Sequence, residues 1–439
     1  MRKRGKNAAP GMKRGLINAL QNLAIVLLVV LGLGLSAAGG LLPLDEMLSG
    51  LRSRVEPEET GAGYTAAASP FCIVITPQEG AHCAVMYDGA ELDEAYSRFS
   101  STLGEALGSS RDVSAVSEEA WRDALSGRGV YFDFYNDFLL STYSIWLGTA
   151  MTGEASGHTA RRVCLALEDG EVALYYIRAR ASGGQAFYRC ATALPADALS
   201  ALLESAMPNG AEFNFERGDS FSRVDPYFVL TADSPQVYAA SSYNSLQELG
   251  ADAAMSAFGM NSYLAQNYPE ADGTLVWVDG EATLRLGPDG TVHYSSRQPE
   301  RGEEPRMGPA AAIEYGRSIV EATLGQVSGD AELQLSFIYF DEGTEEQPGT
   351  EAYQLRFNYV LNGLPVELSG FESAAEIRFV GGTVYYAEMV FRSFVRGNSL
   401  EDVLPSDMVA SIVQSEGGGE PRLSYIDTAE GVSVRWPIK

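Results

Sequence analysis

The sequence predicts an α+β chain: an N-terminal transmembrane helix followed by several extracytoplasmic domains, each a helix set against an antiparallel sheet. Three observations lead there. The first 22 residues are basic, the next 22 carry no charge, and the remainder is strongly acidic. Helical spacing followed by runs of strands recurs along the chain. Many of the 18 Phe and 22 Tyr residues fall at period two in those strands, as on the core face of a sheet.

Arg2, Lys3, Arg4, Lys6, Lys13 and Arg14 give the amino end six positive charges against a chain total of −27, so the rest carries the whole acidic excess. Residues 23–44 are Leu, Val, Ile, Ala and Gly throughout most of their length, and as a helix would span about 33 Å, the thickness of a bilayer core. The basic flank is expected to stay cytoplasmic and the acidic bulk to be exported, which places the chain in the cell membrane as a single-pass protein. A cleaved secretory signal with Ser36-Ala37-Ala38 at its exit is the alternative. Residues 45–70 read as a linker without sustained period.

The outer part is expected to divide into domains at 71–206, 207–305 and 306–439. Cys72–Ile75 and Ala84–Tyr87 read as a hairpin whose mirror point sets Cys72 opposite Cys83. A cross-strand disulfide between them and two buried thiols are both compatible with that pairing. Leu92–Leu107 is an amphipathic helix, Ser117–Leu125 a second one with Ser117 as its cap and Trp121 inward. Val130–Tyr135 is a strand and Ser141–Leu147 a short helix. Residues 162–193 form a meander with turns at Asp169-Gly170 and Ser182-Gly183-Gly184. In it Cys164 and Cys190 lie two strands apart, at about 10 Å, and are expected to be reduced. A helix follows at 194–206. Helix-then-strand order then repeats: 246–268 before strands at 274–279, 282–286 and 292–295; Ala310–Leu324 before 332–341, 353–361, 375–380 and 383–394; and Pro405–Gln414 before 423–426 and 432–436.

Composition excludes more functions than it supports. A net charge of −27 argues against a phosphate-facing nucleic-acid surface. Three histidines and four scattered cysteines provide no clustered metal ligands; His82 beside Cys83 is the nearest approach. Asp133 and Asp137 could pose as paired carboxylates, but read better as an outward strand residue and a turn. There is no phosphate-binding loop and no nucleophile elbow. No catalytic residue, cofactor site or metal site is expected, and the chain is expected not to be an enzyme. Adjacent aromatics such as Tyr175-Tyr176, Tyr339-Phe340 and Tyr385-Tyr386 place rings on both faces of a strand, so helices or a partner must cover the second face.

Several segments resemble the YycH family of extracytoplasmic regulators. These are the basic tail with its single apolar segment, Trp121-Arg122-Asp123-Ala124-Leu125 before the strand Val130–Tyr135, and the block Thr274–Val278, Leu284–Leu286 and Pro288-Asp289-Gly290-Thr291-Val292-His293-Tyr294. Asn358-Tyr359-Val360-Leu361-Asn362-Gly363-Leu364-Pro365-Val366 is similar to a segment shared with YycI and PepSY-like domains, and Trp436-Pro437 to their closing strand. The resemblance implies C-terminal YycI/PepSY-like folds and a two-component regulatory role, with a WalK-like sensor histidine kinase and a YycI-like sister protein as partners and cell-wall homeostasis as the process. It implies partner contacts through the membrane helix, where Gly32 and Gly34 would let another helix approach. Contacts are also expected through the sheet of 332–394, where Tyr339, Tyr359 and Tyr385 are the candidates. A cell-envelope ligand-binding or assembly protein without kinase contact is the alternative.

Overall fold

Two large sheets, antiparallel except for one parallel pair in the second, and eight short-to-medium helices make up most of the residues that the computed structural model describes, 67–179, 184–343 and 348–439. The expected basic tail, membrane span, Gly32, Gly34, most of the linker and the Ser182-Gly183 turn lie outside them. Among the described residues no helix is long and apolar enough to cross a membrane.

The first sheet contains β1 (Pro70–Gln78), β2 (Ala81–Met86), β3 (Arg111–Val116), β4 (Gly129–Leu139), β5 (Thr159–Glu168), β6 (Glu171–Ala179) and β7 (Gln185–Pro195), in the order β2-β1-β4-β5-β6-β7-β3. The Asp169-Gly170 turn forms as read, with φ of 46° and 89°, as a two-residue hairpin requires. Both faces of this sheet are buried by the chain's own elements. Phe132, Leu165 and Tyr176 face a core that α1 (Gly89–Gly108) covers with Leu92, Phe99 and Leu103. Tyr131, Cys164 and Tyr175 face a second core closed by Trp121 and Leu125 of α2 (Glu118–Ser126). The helix starts are chemically fixed. The Asp88 side chain accepts from Glu91 N at 3.1 Å and the Ser117 hydroxyl from Ala120 N at 3.1 Å, meeting donors that a helix otherwise leaves open. α3 (Leu140–Trp146) forms one residue earlier than read, and α4 (Asp197–Leu203) is shorter than its sequence window.

The hairpin of β1 and β2 corrects one expectation. Its register pairs Cys72 with Met86 and Ile75 with Cys83, and slips between Ile75 and Gln78. The true mirror point is therefore later than the loop residues suggest. Cys72 joins the α2-side core while Cys83 packs on the α1-side core, so the two thiols face opposite sides of the sheet and no disulfide links them. All four cysteines are free. Cys164 pairs with Tyr175 and Cys190 with Leu174.

Next along the chain come β8 (Glu212–Phe213), β9 (Val229–Leu230), β10 (Tyr238–Tyr243) and the one-turn and two-turn helices α5 (Leu246–Leu249) and α6 (Ala251–Ala257). The second sheet then opens with β11 (Gln266–Pro269), β12 (Leu275–Asp279), β13 (Ala282–Leu286) and β14 (Thr291–Ser295). After α7 (Pro309–Ala322) it continues with β15 (Glu332–Gly343), β16 (Pro348–Leu361), β17 (Leu364–Leu368), β18 (Ala375–Val380) and β19 (Thr383–Val390). β20 (Ser393–Leu400) turns away to pair with β10, and after α8 (Ser406–Glu416) the strands β21 (Ser424–Thr428) and β22 (Gly431–Arg435) complete the sheet. The strand runs that follow α6 and α7 thus close into one eleven-stranded sheet, joined where β14 pairs with β19. α7 covers its inner face with Ile313, Ile319 and Val320. Gly316 lets that helix approach: a Cβ there would stand 2.3 Å from Leu355 Cδ1.

The two sheets meet along a polar seam. Arg161 donates to both Asp133 oxygens at 2.6 and 2.9 Å and to both Glu420 oxygens at 2.9 and 2.5 Å. Arg162 donates to Asp133 at 3.0 Å and to Asp225 at 3.1 Å, and Arg422 donates to Glu420 and to the Tyr135 carbonyl, both at 3.3 Å. Three guanidiniums thus balance three carboxylates in a nearly dry site. Burial alone would raise the Asp133 and Glu420 carboxyls, but the neighbouring arginines hold both below the ordinary range. Asp133 is thus buried in this lattice and not on an outward face, and Asp137 is exposed on the same strand and not in a turn.

Candidate docking surface

The outer face of the second sheet, unlike both faces of the first, is not covered by the chain. Cross-strand register aligns Phe337, Arg356, Glu376, Glu388 and His293 in one row and Tyr339, Gln354, Arg378 and Tyr386 in the next. Phe337 is 39% exposed and Tyr339 52%. Alternation explains the pattern, since Phe340, next after Tyr339, points inward and stacks on Tyr353 at 4.5 Å, with Tyr353 stacked in turn on Phe379.

The exposed rings stand in a lattice of charges. The Arg356 guanidinium lies 5.2 Å from the Phe337 ring centre, and that of Arg378 4.9 Å from Tyr386. Glu376 accepts from Arg356 at 2.8 Å and from Arg378 at 2.8 and 2.6 Å. These bonds outweigh its partial burial and hold its carboxyl below the ordinary range. Tyr386 donates to Glu388 at 2.9 Å. Guanidinium–aromatic contact and bidentate pairing restrain long side chains beforehand, so a partner would meet a partly pre-ordered Phe, Tyr and Arg surface, the residue types that dominate binding energy at interfaces.

The expected contact residues separate sharply on this surface. Tyr339 is on the outer face and exposed. Tyr385 sits at the bulge between the Arg378 and Phe379 pairings and is half-buried within the field of Arg378 and Asp341. Tyr359 is wholly buried: its hydroxyl donates to the Val390 carbonyl at 3.0 Å and accepts from Arg392 N at 3.2 Å. It is a core residue and offers no surface to a partner, because the β15–β16 register gives it the inward parity of Leu335 and Phe357. Sequence reading missed the arginines. Their signal was present in the placement of Arg356 between the inward Leu355 and Phe357 and of Arg378 between the inward Ile377 and Phe379, which marks the solvent-side parity of each strand.

Two of the three histidines have structural contacts, and the third, His293, is exposed on the outer row. His82 is buried, its ring 2.9 Å from the Thr76 hydroxyl and 3.0 Å from Glu216, and His158 contacts the Tyr176 hydroxyl at 2.7 Å. Among the described residues no group of three or more His, Cys, Asp or Glu side chains converges as metal ligands do.

This is a two-sheet α+β body that presents an aromatic and guanidinium sheet face outward. Its fold is that of YycH: the chain superposes on the crystal structure of YycH from Bacillus subtilis with a TM-score of 0.51 at 12% identity, covering 87% of this chain and 96% of that one. No family model matches the sequence, and no curated protein matches it.

Proposed function

We propose that this chain is a non-enzymatic, membrane-anchored regulator that modulates a two-component sensor histidine kinase from outside the cytoplasmic membrane. Its means would be protein–protein contact, with a WalK-like kinase and a YycI-like sister protein as the expected partners and cell-wall homeostasis as the process. The support is the YycH-like fold over 87% of the chain, together with an aromatic–arginine sheet face that the chain does not cover. In this reading residues 23–44 anchor the chain in the cell membrane with the amino end cytoplasmic, and Gly32 and Gly34 face a kinase membrane helix. The outer body then biases the kinase between two states by binding one of them better. Deletion of residues 1–44 is expected to abolish kinase control in a reporter strain while the exported body still folds. Full control by the anchorless body would overturn the reading.

A further inference from the structure

A trough follows β15 where the two sheets meet. It consists of two cavities of about 450 and 430 Å³ that share Tyr135, Gln334 and Val360 as a common wall. Each is within the size range of small-ligand sites, which favour such junctions. From Glu332 at one end to Phe337 at the other, the extended strand covers about 17 Å.

The two ends differ in charge. At the Glu332 end, three carboxylates, Asp93, Asp330 and Glu332, line the wall against one cation, Arg396, whose guanidinium lies 4.8 Å from the Tyr238 ring centre. Among the described residues neither Asp93 nor Glu332 has an ion-pair partner, while Asp330 accepts from Arg396 N at 2.8 Å. Partial burial and then the charge of Asp93 raise the Glu332 carboxyl, which puts the two acids within each other's field. At the Phe337 end the wall holds Arg356, Arg422 and Lys439. Their local counter-charges are Glu372 and Glu376 on Arg356 at 2.7 and 2.8 Å, Glu420 on Arg422 at 3.3 Å and Glu367 on Lys439 at 3.4 Å. Arg422 is 8% exposed and its Nε has no hydrogen-bond partner. Between the ends stand the carboxamides of Asn136, Gln334, Asn358 and Asn362. The Asn362 Nδ2 is buried without a partner.

We infer that this trough binds a short extended peptide, with its amino terminus at Asp93 and Glu332, its carboxylate at Arg356, Arg422 and Lys439, and its backbone amides on the carboxamides between them. Acid at one end and base at the other, about 17 Å apart, complement a zwitterion of roughly four or five extended residues. The ends lie beyond a Debye length of about 8–10 Å, so each selects its own terminal charge. A neutral glycan would use the carboxamides alone, and a single anion only one end. The trough shares Phe337 and Arg356 with the edge of the outer sheet face, but the inference does not rest on kinase docking, because its readout is peptide binding.

Calorimetric titration of the full chain with tetra-alanine carrying both free termini tests it, beside the N-acetylated and the C-amidated forms and chitotetraose. The free peptide is expected to bind, and each end-blocked form to bind at least tenfold more weakly. The double variant Asp93→Asn/Glu332→Gln should lose discrimination against the acetylated peptide only, and Arg356→Gln discrimination against the amide only. These residues lie at the trough's accessible rim, and an unchanged unfolding midpoint verifies each variant's fold. Absence of binding at millimolar peptide, equal binding of blocked and free forms, or tighter binding of chitotetraose would each overturn the proposal.

Discussion

Arg161 and Glu420 are 259 positions apart in the chain, and their side chains meet at 2.5 Å with Asp133 on the other side of the same guanidinium. The first sheet is thereby locked to the segment that leads into β21. Replacing Glu420 by Gln removes one of three carboxylates and leaves three arginines facing two. Breaking a buried pair from one side costs about 3–5 kcal/mol, and the partial exposure of Glu420 favours the low end. Urea unfolding should give a lower midpoint with an unchanged slope. Combining the change with Arg161→Met should recover part of the loss, because it removes the uncompensated charge.

The same seam sets a pH dependence. Asp133 and Glu420 have folded-state pKa values below their ordinary ones, so their stabilisation is fully present above the ordinary carboxylate range, about 4. It is lost as pH falls through the depressed values. The thermal midpoint should therefore drop on going from pH 6 to pH 3. The Glu420→Gln variant, less stable at pH 6, should show a shallower fall, and an equal fall in both proteins would locate the acid sensitivity elsewhere.

A second junction is smaller. The Tyr135 hydroxyl donates to the Gly363 carbonyl at 2.9 Å, and Gly363 has φ of 77° in the Asn362-Gly363 turn, whose backbone touches Gly89 at the start of α1. A Cβ on Gly89 would meet Gly363 N at 3.0 Å. Tyr135→Phe should lower stability by about 1 kcal/mol, and Gly363→Ala by more, through both left-handed strain and the contact with α1. Denaturant titration ranks the two, and the reverse order would show that the turn is free to move.

The thiols give a chemical check on the first hairpin. Cys72 and Cys164 are buried with pKa values raised, first by burial, and Cys190 is pushed up to about 11 by the same cause. Cys83 is only half-buried. A thiol reagent should label Cys83 first in the native protein and the other three only on unfolding. Dithiothreitol should leave the unfolding midpoint unchanged, whereas a reductant-sensitive midpoint would contradict the register of β1 and β2.

Local chemistry made much of this fold legible. Asp169-Gly170 and Asn362-Gly363 state their turns outright, Ser117 states a cap, and the alternation of Phe337 to Phe340 states two faces. What escaped was set by distance or by irregularity. The slip after Ile75 moves the hairpin register in a loop whose residues give no count of it. The strand Arg111–Val116 is a solvent-facing edge with no apolar period. Arg161-Arg162, inside an otherwise apolar strand, announces a buried ionic site but not that its acids are Asp225 and Glu420. The bulge at Tyr385 breaks the period-two rule that would have assigned its side. The trough escaped for the same reason, because its walls come from β4, β15 and the chain's last residue.

Tyr339 and Tyr359 test the docking face against the core. Tyr339→Ser removes an exposed ring that no inward contact depends on, so stability should change by less than about 0.5 kcal/mol, while kinase control in the reporter strain falls if the outer sheet face is the contact. Pairing it with Phe337→Ser should deepen that loss, since the two rings occupy adjacent rows of one patch. Tyr359→Phe should act oppositely. It deletes the bond to Val390 and the acceptor for Arg392 N, costing about 1–2 kcal/mol, yet it leaves the outer face intact. Control should therefore persist at temperatures where the variant is folded. Normal control in the Phe337→Ser/Tyr339→Ser double variant would move the contact off this face, because nothing else in that variant has changed.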